Sequence, residues 1–191
     1  MRPLNTTRCT LEPLTASHAE AMFALLSDPL IYAFGGVPPV SAAALSERYA
    51  RLESRSSPDG QQQWLNWVVR LHAGGEVAGY VQATVGATGD ALIGYELGSR
   101  FWGRGLGAEV VAAMLAELLG HHYQVAGFSA RLDPANQRSR RLLQGLGFAQ
   151  VEPSHNEATE MDAGDVLMRR CGMASASAQT PAPPSVPTSA R

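Results

Sequence analysis

Three glycines stand at alternate positions, Gly103, Gly105 and Gly107, between an apolar run typical of a strand and one typical of a helix. A tight turn between a strand and a helix needs only one glycine, so three in alternation indicate that a ligand approaches the backbone closely. The start of a helix offers unpaired N–H groups and the positive end of the helix dipole, which favour a phosphate or pyrophosphate. Arg104 could add a charge-assisted contact. The stretch is therefore predicted to bind an anion.

The glycine spacing alone also fits a dinucleotide site. Gly103, Gly105 and Ala108 satisfy the fingerprint G-x-G-x-x-G/A, which belongs in a βαβ unit of a parallel sheet with an acidic residue about 20 positions further on. The corresponding segment here, "GHHYQVAG" at 120–127, contains no carboxylate, and antiparallel strands are predicted before the glycines. A dinucleotide oxidoreductase therefore stays a less favoured alternative.

Three predicted strands lead to the glycines, which open the most amphipathic helix of the chain. The strands begin at Trp64, Glu76 and Ala91 and are separated by turns of hairpin length, a pattern that predicts an antiparallel meander. In the helix, apolar residues recur at helical spacing from Leu106 to Leu119. The other predicted elements are a strand at 7–14, helices at 15–26 (Ser17 and Glu20 in capping-box spacing) and from Ser41, a strand at 125–132, a helix at 136–144, and a hairpin of 148–151 and 165–170 across a loop at 152–164. This order predicts an α+β fold with a mixed, mostly antiparallel sheet covered by helices.

The composition indicates one domain in which any polyanion-binding site must be local. The chain has 191 residues and a formal net charge of -2, which gives no global attraction to nucleic acid or to an anionic membrane. We expect a domain at 1–171 and a disordered tail at 172–191, which has four prolines and almost nothing to bury. The two cysteines do not have the spacing of metal ligands and are expected to be free thiols. No apolar run predicts a signal peptide or a membrane span. The expected location is therefore the cytoplasm.

Two stretches together resemble a known family. "IGYELGSRFWGRGLGAEVV", followed by "ARLDPANQRSRRLLQGLGF", is similar to the acyl-CoA-binding core of the GNAT superfamily of N-acetyltransferases, most of all to the branch of the ribosomal-protein alanine N-acetyltransferases. The resemblance covers residues 7–170 and implies the GNAT fold, acetyl-CoA as co-substrate and no metal. It implies that the amides of Gly103, Arg104, Gly105, Leu106, Gly107 and Ala108 bind the pyrophosphate of coenzyme A. Trp102 replaces the Gln or Arg that usually opens this loop in the family.

The resemblance also assigns roles near the thioester. Leu97 and Gly98 would pair their backbone with the pantetheine arm, and the N–H of one of them, with Leu97 preferred, would stabilise the developing oxyanion. The family's usual tyrosine acid is replaced by Leu143, and Ser139 matches a serine proposed to protonate the leaving thiolate in the resembling branch. Ser139 could equally help to cap its helix. Asn136 could cap the helix or reach the pantetheine, and the arginines of the same segment, Arg138, Arg140 and Arg141, could contact the 3'-phosphate.

The general base is less well defined by the sequence. An alkyl amine has a pKa near 10.4, so about one part in a thousand is free base at neutral pH and a carboxylate would help. Glu96 is the candidate, although strand alternation directs it to the face opposite Tyr95 and Leu97. Glu109 is expected to serve the helix dipole. Tyr95 and Tyr123 are alternative proton donors, and the five histidines show no metal spacing.

The sequence thus favours an N-acetyltransferase acting on a primary amine, either a protein N-terminus or a small molecule. A non-catalytic acyl-CoA-binding module stays open as the alternative, because the usual tyrosine is missing. The acceptor pocket is expected between the N-terminal helices and the loops at 33–40 and 54–63. The protein is expected to be a monomer or a homodimer.

Overall fold

A computed structural model describes residues 1–120 and 122–172. The described chain folds into one eight-stranded sheet whose strand order is β1-β2-β3-β4-β5-β6-β8-β7. The strands are β1 (Leu4–Asn5), β2 (Cys9–Pro13), β3 (Gln62–Leu71), β4 (Val77–Gly86), β5 (Asp90–Leu97), β6 (Gly127–Leu132), β7 (Ala149–Val151) and β8 (Val166–Cys171). The α-helices are α1 (Ala19–Leu26), α2 (Ala42–Leu52), α3 (Leu106–Leu118), α4 (Gln137–Gly145) and α5 (His155–Thr159). The predicted α+β class with a mostly antiparallel sheet is confirmed.

One strand pair differs from the others in direction and in length of pairing. β5 and β6 run parallel and pair over only three positions, from Asp90 with Gly127 to Leu92 with Ser129, whereas the other neighbouring strands are antiparallel. Beyond Leu92, β5 continues to Leu97 along β4 while β6 has left it. The sheet therefore opens at the carboxyl end of β5, and α3 begins a few residues later.

Burial of apolar side chains fixes α3 against the sheet. Its helical stripe includes Val110, Val111 and Met114, each with 0% of its surface exposed. The core continues through Trp67 of β3 and Phe128 of β6. Removing this much apolar surface from water supplies the dominant free energy of folding and leaves the start of α3 in a fixed position. No helix within 1–120 and 122–172 is long and apolar enough to span a bilayer.

Three local predictions differ from the structure. β1 was not predicted, because two residues are too short to show an alternating pattern. The predicted loop at 152–164 contains α5, whose capping box joins Ser154 and Glu157. The capping box predicted at Ser17 and Glu20 is wrong: the N–H of Thr15 donates to His18 Nδ1 at 3.0 Å, and Ala16–His18 form a short 3-10 helix before α1. From residue 173 onwards, the predicted tail lies outside the described residues.

Candidate active site

A cleft of about 410 Å³ lies where β5 and β6 part. Its walls come from three places: the end of β5 (Tyr95–Leu97), the turn into α3 with the first residues of that helix (Phe101–Ala108, apart from Arg104), and one face of α4 with its cap (Asn136, Arg138, Ser139, Arg141 and Leu142). Ile31, Phe34 and Gly35 close a fourth side. Most residues that the sequence singled out therefore meet in one cleft.

The start of α3 is built to receive an anion. Gly105 is the N-cap residue and has φ 72°, in the left-handed region that a residue with a Cβ adopts only at a cost. No side chain caps the helix, so the N–H groups of Leu106, Gly107 and Ala108 have no partner within it, while the N–H of Glu109 is the first to bond back, to Gly105 O. Leu106, Gly107 and Ala108 all line the cleft. These unpaired N–H groups at the positive end of the helix dipole fit a pyrophosphate.

Gly107 has a second structural reason to be a glycine. A Cβ added there would lie 2.7 Å from Leu142 Cδ1 of α4. A side chain at position 107 would therefore displace the end of the Leu142 side chain, which packs over Gly107 on the wall of the cleft. The sequence pattern had attributed this glycine to the ligand alone.

Two predicted ligand contacts lie off the cleft. The N–H of Gly98 donates to Ala78 O of β4 at 3.1 Å, so it cannot serve the oxyanion, and Gly98 does not line the cleft. Arg104 does not line the cleft either, and its carbonyl accepts a hydrogen bond of 2.8 Å from the Arg8 guanidinium. Sequence spacing could not show that the chain turns away from the cleft at these two residues.

Leu97 turns its backbone N–H and C=O towards the opening. Gly98 bonds to β4, and because N–H directions alternate along an antiparallel strand, the N–H and C=O of Leu97 point away from β4. β6 has departed at that point, so both groups face the opening, and the Leu97 carbonyl accepts a hydrogen bond of 2.8 Å from Trp102 Nε1. Trp102, at the position where the family usually has Gln or Arg, thus fixes the end of β5.

A β-bulge and a glycine in β4 bring β5 into this position. Val69 pairs with Gly79 and Arg70 with Val77, so Ala78 is an extra residue in β4. Gly79 has φ 151°, and a Cβ added to it would lie 2.0 Å from the Glu96 carbonyl oxygen. Only glycine allows β4 to approach β5 this closely, and the approach fixes the positions of Glu96 and Leu97. The sequence analysis did not identify Gly79 as part of the site, although a glycine inside a strand pattern is a signal for a bulge.

Glu96 lies on the wall between the cleft and a second cavity of about 560 Å³, which we call the side cavity. The side cavity is bounded by residues 32–40, by α2, and by Tyr80, the cross-strand partner of Glu96. Strand alternation was expected to direct Glu96 to the face opposite Tyr95 and Leu97, and Glu96 does share a face of the sheet with Tyr80. That face is the wall of a cavity that adjoins the cleft. Burial raises the pKa of Glu96 to about 7, and the cation of Arg138 opposes the rise.

Ser139 and Tyr95 face each other across the cleft. The Tyr95 hydroxyl lies 3.5 Å from the Ser139 carbonyl oxygen, and the Ser139 N–H donates to Asn136 Oδ1 at 3.1 Å. Asn136 is thus the N-cap of α4. Burial raises the pKa of Tyr95, and the nearby Ser139 hydroxyl opposes that rise. Both side chains therefore lie next to each other on the wall of the cleft.

The α4 arginines differ in their surroundings. Arg141 lines the cleft, whereas Arg140 bonds to Gln150 and does not line it. The guanidinium carbon of Arg138 lies 3.3 Å from the centroid of a Trp102 ring, in a cation–π contact. Arg138 thus contacts the indole that bonds to Leu97, and its charge also acts on the carboxylate of Glu96. The sequence analysis gave Arg138 a possible phosphate contact only.

The remaining candidates are placed outside the reaction. Glu109 lies in the first turn of α3, where it pairs with Arg8 at 2.6 Å. Tyr123 is buried against His122 and does not line the cleft, and Leu143, at the family's tyrosine position, is 1% exposed. Within the described ranges, no group of three His, Cys, Asp or Glu residues could hold a metal ion.

The two loops predicted to line the acceptor pocket border adjoining cavities. The loop at 33–40 bounds the side cavity. The loop at 54–63 borders a third cavity, which is lined by Ser54, Pro58 and Trp64 and meets the side cavity at Arg48 and Arg51. Where the acceptor binds stays a prediction.

The cleft thus combines a parted strand pair with a helix start that no side chain caps. Residues 8–149 match the family model described as the Acetyltransferase (GNAT) domain, and the chain therefore belongs to the GNAT acetyltransferase family. A curated relative, the uncharacterized N-acetyltransferase p20 of Bacillus licheniformis, is 25% identical over 150 residues, which span 78% of this chain and 83% of the relative.

Solved structures show the same fold. Ribosomal-protein-S5-alanine acetyltransferase from Vibrio fischeri is 14% identical, with a TM-score of 0.73 over 90% of this chain and 97% of that one. An aminoglycoside acetyltransferase in complex with coenzyme A is 21% identical, with a TM-score of 0.67 over 84% of this chain and 93% of that one. The resemblance found in the sequence is thus confirmed for the family and the fold.

Proposed function

We propose that this protein is an acetyl-CoA-dependent N-acetyltransferase that acetylates a primary amine, with the cleft binding acetyl-CoA and the side cavity binding the amine. One observation carries the proposal: Glu96 and Gly35 line both cavities, so the wall between them holds a carboxylate whose pKa of about 7 suits a general base. The solved aminoglycoside acetyltransferase is a coenzyme A complex, which supports the assignment of the cleft.

Different parts of the cleft would bind different parts of acetyl-CoA. The N–H groups of Leu106, Gly107 and Ala108 would bind the pyrophosphate, with Arg141 near the outer phosphates. The parted end of β5 would accept the pantetheine arm as an added strand, which brings the thioester carbonyl to the N–H of Leu97. Cleft and side cavity together hold the two reactants next to each other, and proximity supplies a large part of the rate acceleration.

The transfer then needs two proton movements. Glu96 takes a proton from the amine, whose nitrogen bonds to the acetyl carbon, and the Leu97 N–H stabilises the charge that builds on the carbonyl oxygen. The carbon–sulfur bond breaks, and Ser139 or Tyr95 protonates or hydrogen-bonds the departing thiolate. A thiol pKa near 8.5 makes this departure feasible close to neutral pH, so a weak donor suffices.

The acceptor could be a protein N-terminus or a small-molecule amine, and solved relatives of this fold are named for both kinds of acceptor. We also place the protein in a reducing compartment, the cytoplasm, because Cys9 and Cys171 are free thiols.

A screen of amines tests the proposal directly. The protein is incubated with acetyl-CoA and a library of peptides, amino acids, polyamines and aminoglycosides, and acetylated products are detected by mass spectrometry. We expect at least one acetylated amine, and coenzyme A should raise the melting temperature. Tight binding of coenzyme A with no acetylated product from any amine would instead identify a non-catalytic acyl-CoA-binding module. A response to NAD(P) but not to coenzyme A would contradict both.

A further inference from the structure

Two arginines on α2 give the side cavity a positively charged outer end. Arg48 and Arg51 line the side cavity together with Glu96, and both also line the third cavity beyond it. They are three residues apart on one helix, which places their Cβ atoms about 5–6 Å from each other on the same face. An acceptor in the side cavity therefore meets a carboxylate at the inner end and two guanidinium groups at the outer end.

Neither arginine is used by the fold. Within residues 1–120 and 122–172, the arginines that pair with carboxylates are Arg2, Arg8, Arg70, Arg100, Arg131 and Arg169, and not Arg48 or Arg51. Glu53, at the end of the same helix, is turned away and accepts the N–H of Ala16 at 2.6 Å. The two cations are thus available to a ligand.

Both arginines and Glu96 line one cavity of about 560 Å³. Tyr80 stands beside Glu96 on the cavity wall, and both Glu96 and Arg48 act on the Tyr80 hydroxyl: burial and Glu96 raise its pKa to about 12, and Arg48 opposes that rise. Arg48 and Arg51 do not line the cleft, so they are not placed to bind the phosphates of the acyl carrier. Their charge is directed to the acceptor.

We propose that the acceptor amine carries an anionic group, a carboxylate or a phosphate, which Arg48 and Arg51 bind while the amine lies at Glu96. The inference rests on the proposed function. Guanidinium groups recognise carboxylates and phosphates through charge-assisted, often bidentate, hydrogen bonds. The third cavity extends the same surface to Trp64, so the anionic group can belong to a small molecule or to a side chain near the start of a peptide.

The test compares matched amines that differ only in this charge. One arm uses peptides with Asp or Asn at the second position, and the other uses an ω-amino acid and its amide, whose amine pKa values are nearly equal. Each is assayed with the wild type, the R48E/R51E double variant and the control variant R169Q, whose arginine is exposed and lines none of these cavities.

The wild type should favour the anionic member in at least one arm, with kcat/KM about tenfold higher, mainly through the KM of the acceptor. R48E/R51E should abolish or reverse that preference and leave the KM for acetyl-CoA unchanged, while R169Q should keep it. A preference confined to one arm identifies the source of the anion. Equal kcat/KM for both members in the wild type, or the same preference in R48E/R51E, would overturn the inference while leaving the N-acetyltransferase assignment intact. If no amine is acetylated, both fall together.

Discussion

Replacing Glu96 with Gln tests the chemistry and the electrostatics of the site in one protein. The carboxyl pKa is about 7 in the folded protein against an ordinary value of 4.5. Between these two pH values the unfolded chain has lost a proton that the folded chain keeps, so the free energy of unfolding falls as pH rises from 4.5 towards 7. Above pH 7 both states are ionised and the deficit stays constant.

The size of the deficit follows from the pKa difference. At 1.36 kcal/mol per pKa unit, the full difference is worth about 3 kcal/mol. Glu96 is only half-buried on the wall between two cavities, so screening by solvent reduces this figure, and we expect about 1–2 kcal/mol at pH 8. Glu96→Gln removes the ionisation. The variant should therefore be more stable than the wild type at pH 8, with a melting temperature higher by about 2–8 °C, and should lose this advantage at pH 4.5 and below.

The same variant should lose activity. Removing a general base typically lowers the rate by about 10²–10⁴-fold, and the limb of the pH–rate profile that rises with an apparent pKa near 7 should disappear. Melting curves from pH 4 to 9 and steady-state kinetics over the neutral range, with an alkyl amine whose own pKa lies far above 7, give both results. An E96Q protein that keeps the limb near pH 7, with kcat within about threefold of wild type, would refute the role of Glu96.

Three further substitutions test the other parts of the site. Ala108→Asp should lower the affinity for coenzyme A by about 100-fold or more without unfolding the protein, because an acid in the first helical turn suits the dipole but repels a pyrophosphate. Ala116→Asp, on the exposed face of the same helix, is the control. Equal affinities of the two variants, measured by calorimetry, would remove the helix start from the binding site. Ser139→Ala keeps the backbone N–H that Asn136 caps, so it should lower kcat more than it raises the KM for acetyl-CoA. If Tyr95→Phe has this effect instead, the tyrosine is the proton donor. If neither variant has it, the thiolate leaves without a side-chain acid. Arg138→Gln removes the cation that lowers the Glu96 pKa, so the limb near pH 7 should move to higher pH, and an unmoved limb would show that Arg138 does not act on Glu96.

Long periodic elements were predictable from the sequence, and short ones were not. The helix α3 and the three strands before it could be identified as helix or strand from their own sequences. Each has enough residues to display a repeat of apolar side chains, with a period of 3.6 in the helix and of 2 in the strands. β1 and α5 are too short to do so. A capping box was predicted at Ser17 and Glu20 because these residues have the right spacing. In the structure the capping box lies at Thr15 and His18, where the N–H of Thr15 donates to His18 Nδ1. Only three-dimensional competition between side chains decides such a case.

The site was predictable where a backbone pattern defines it and unpredictable where packing does. Gly105 belongs to a local motif, and the structure places it at the N-cap of α3 on the wall of the cleft. The position of Glu96 depends on Gly79 in another strand and on which way residues 33–40 fold. Arg48 and Arg51 gave no sequence signal at all, since two exposed arginines on a helix look the same whether they face solvent or a cavity.

The three departures from simple strand geometry around β5 serve one purpose. The bulge at Ala78 and the close approach at Gly79 fix β5 on one side, and the indole of Trp102 fixes the Leu97 carbonyl on the other. With its carbonyl held, Leu97 presents its N–H at the opening in a fixed direction, as electrostatic stabilisation of an oxyanion requires. Arg138 lies on the same indole and moderates the Glu96 pKa. Trp102 therefore contacts both the carbonyl of the proposed oxyanion donor and the arginine whose charge acts on the proposed base, so one indole links these two parts of the site.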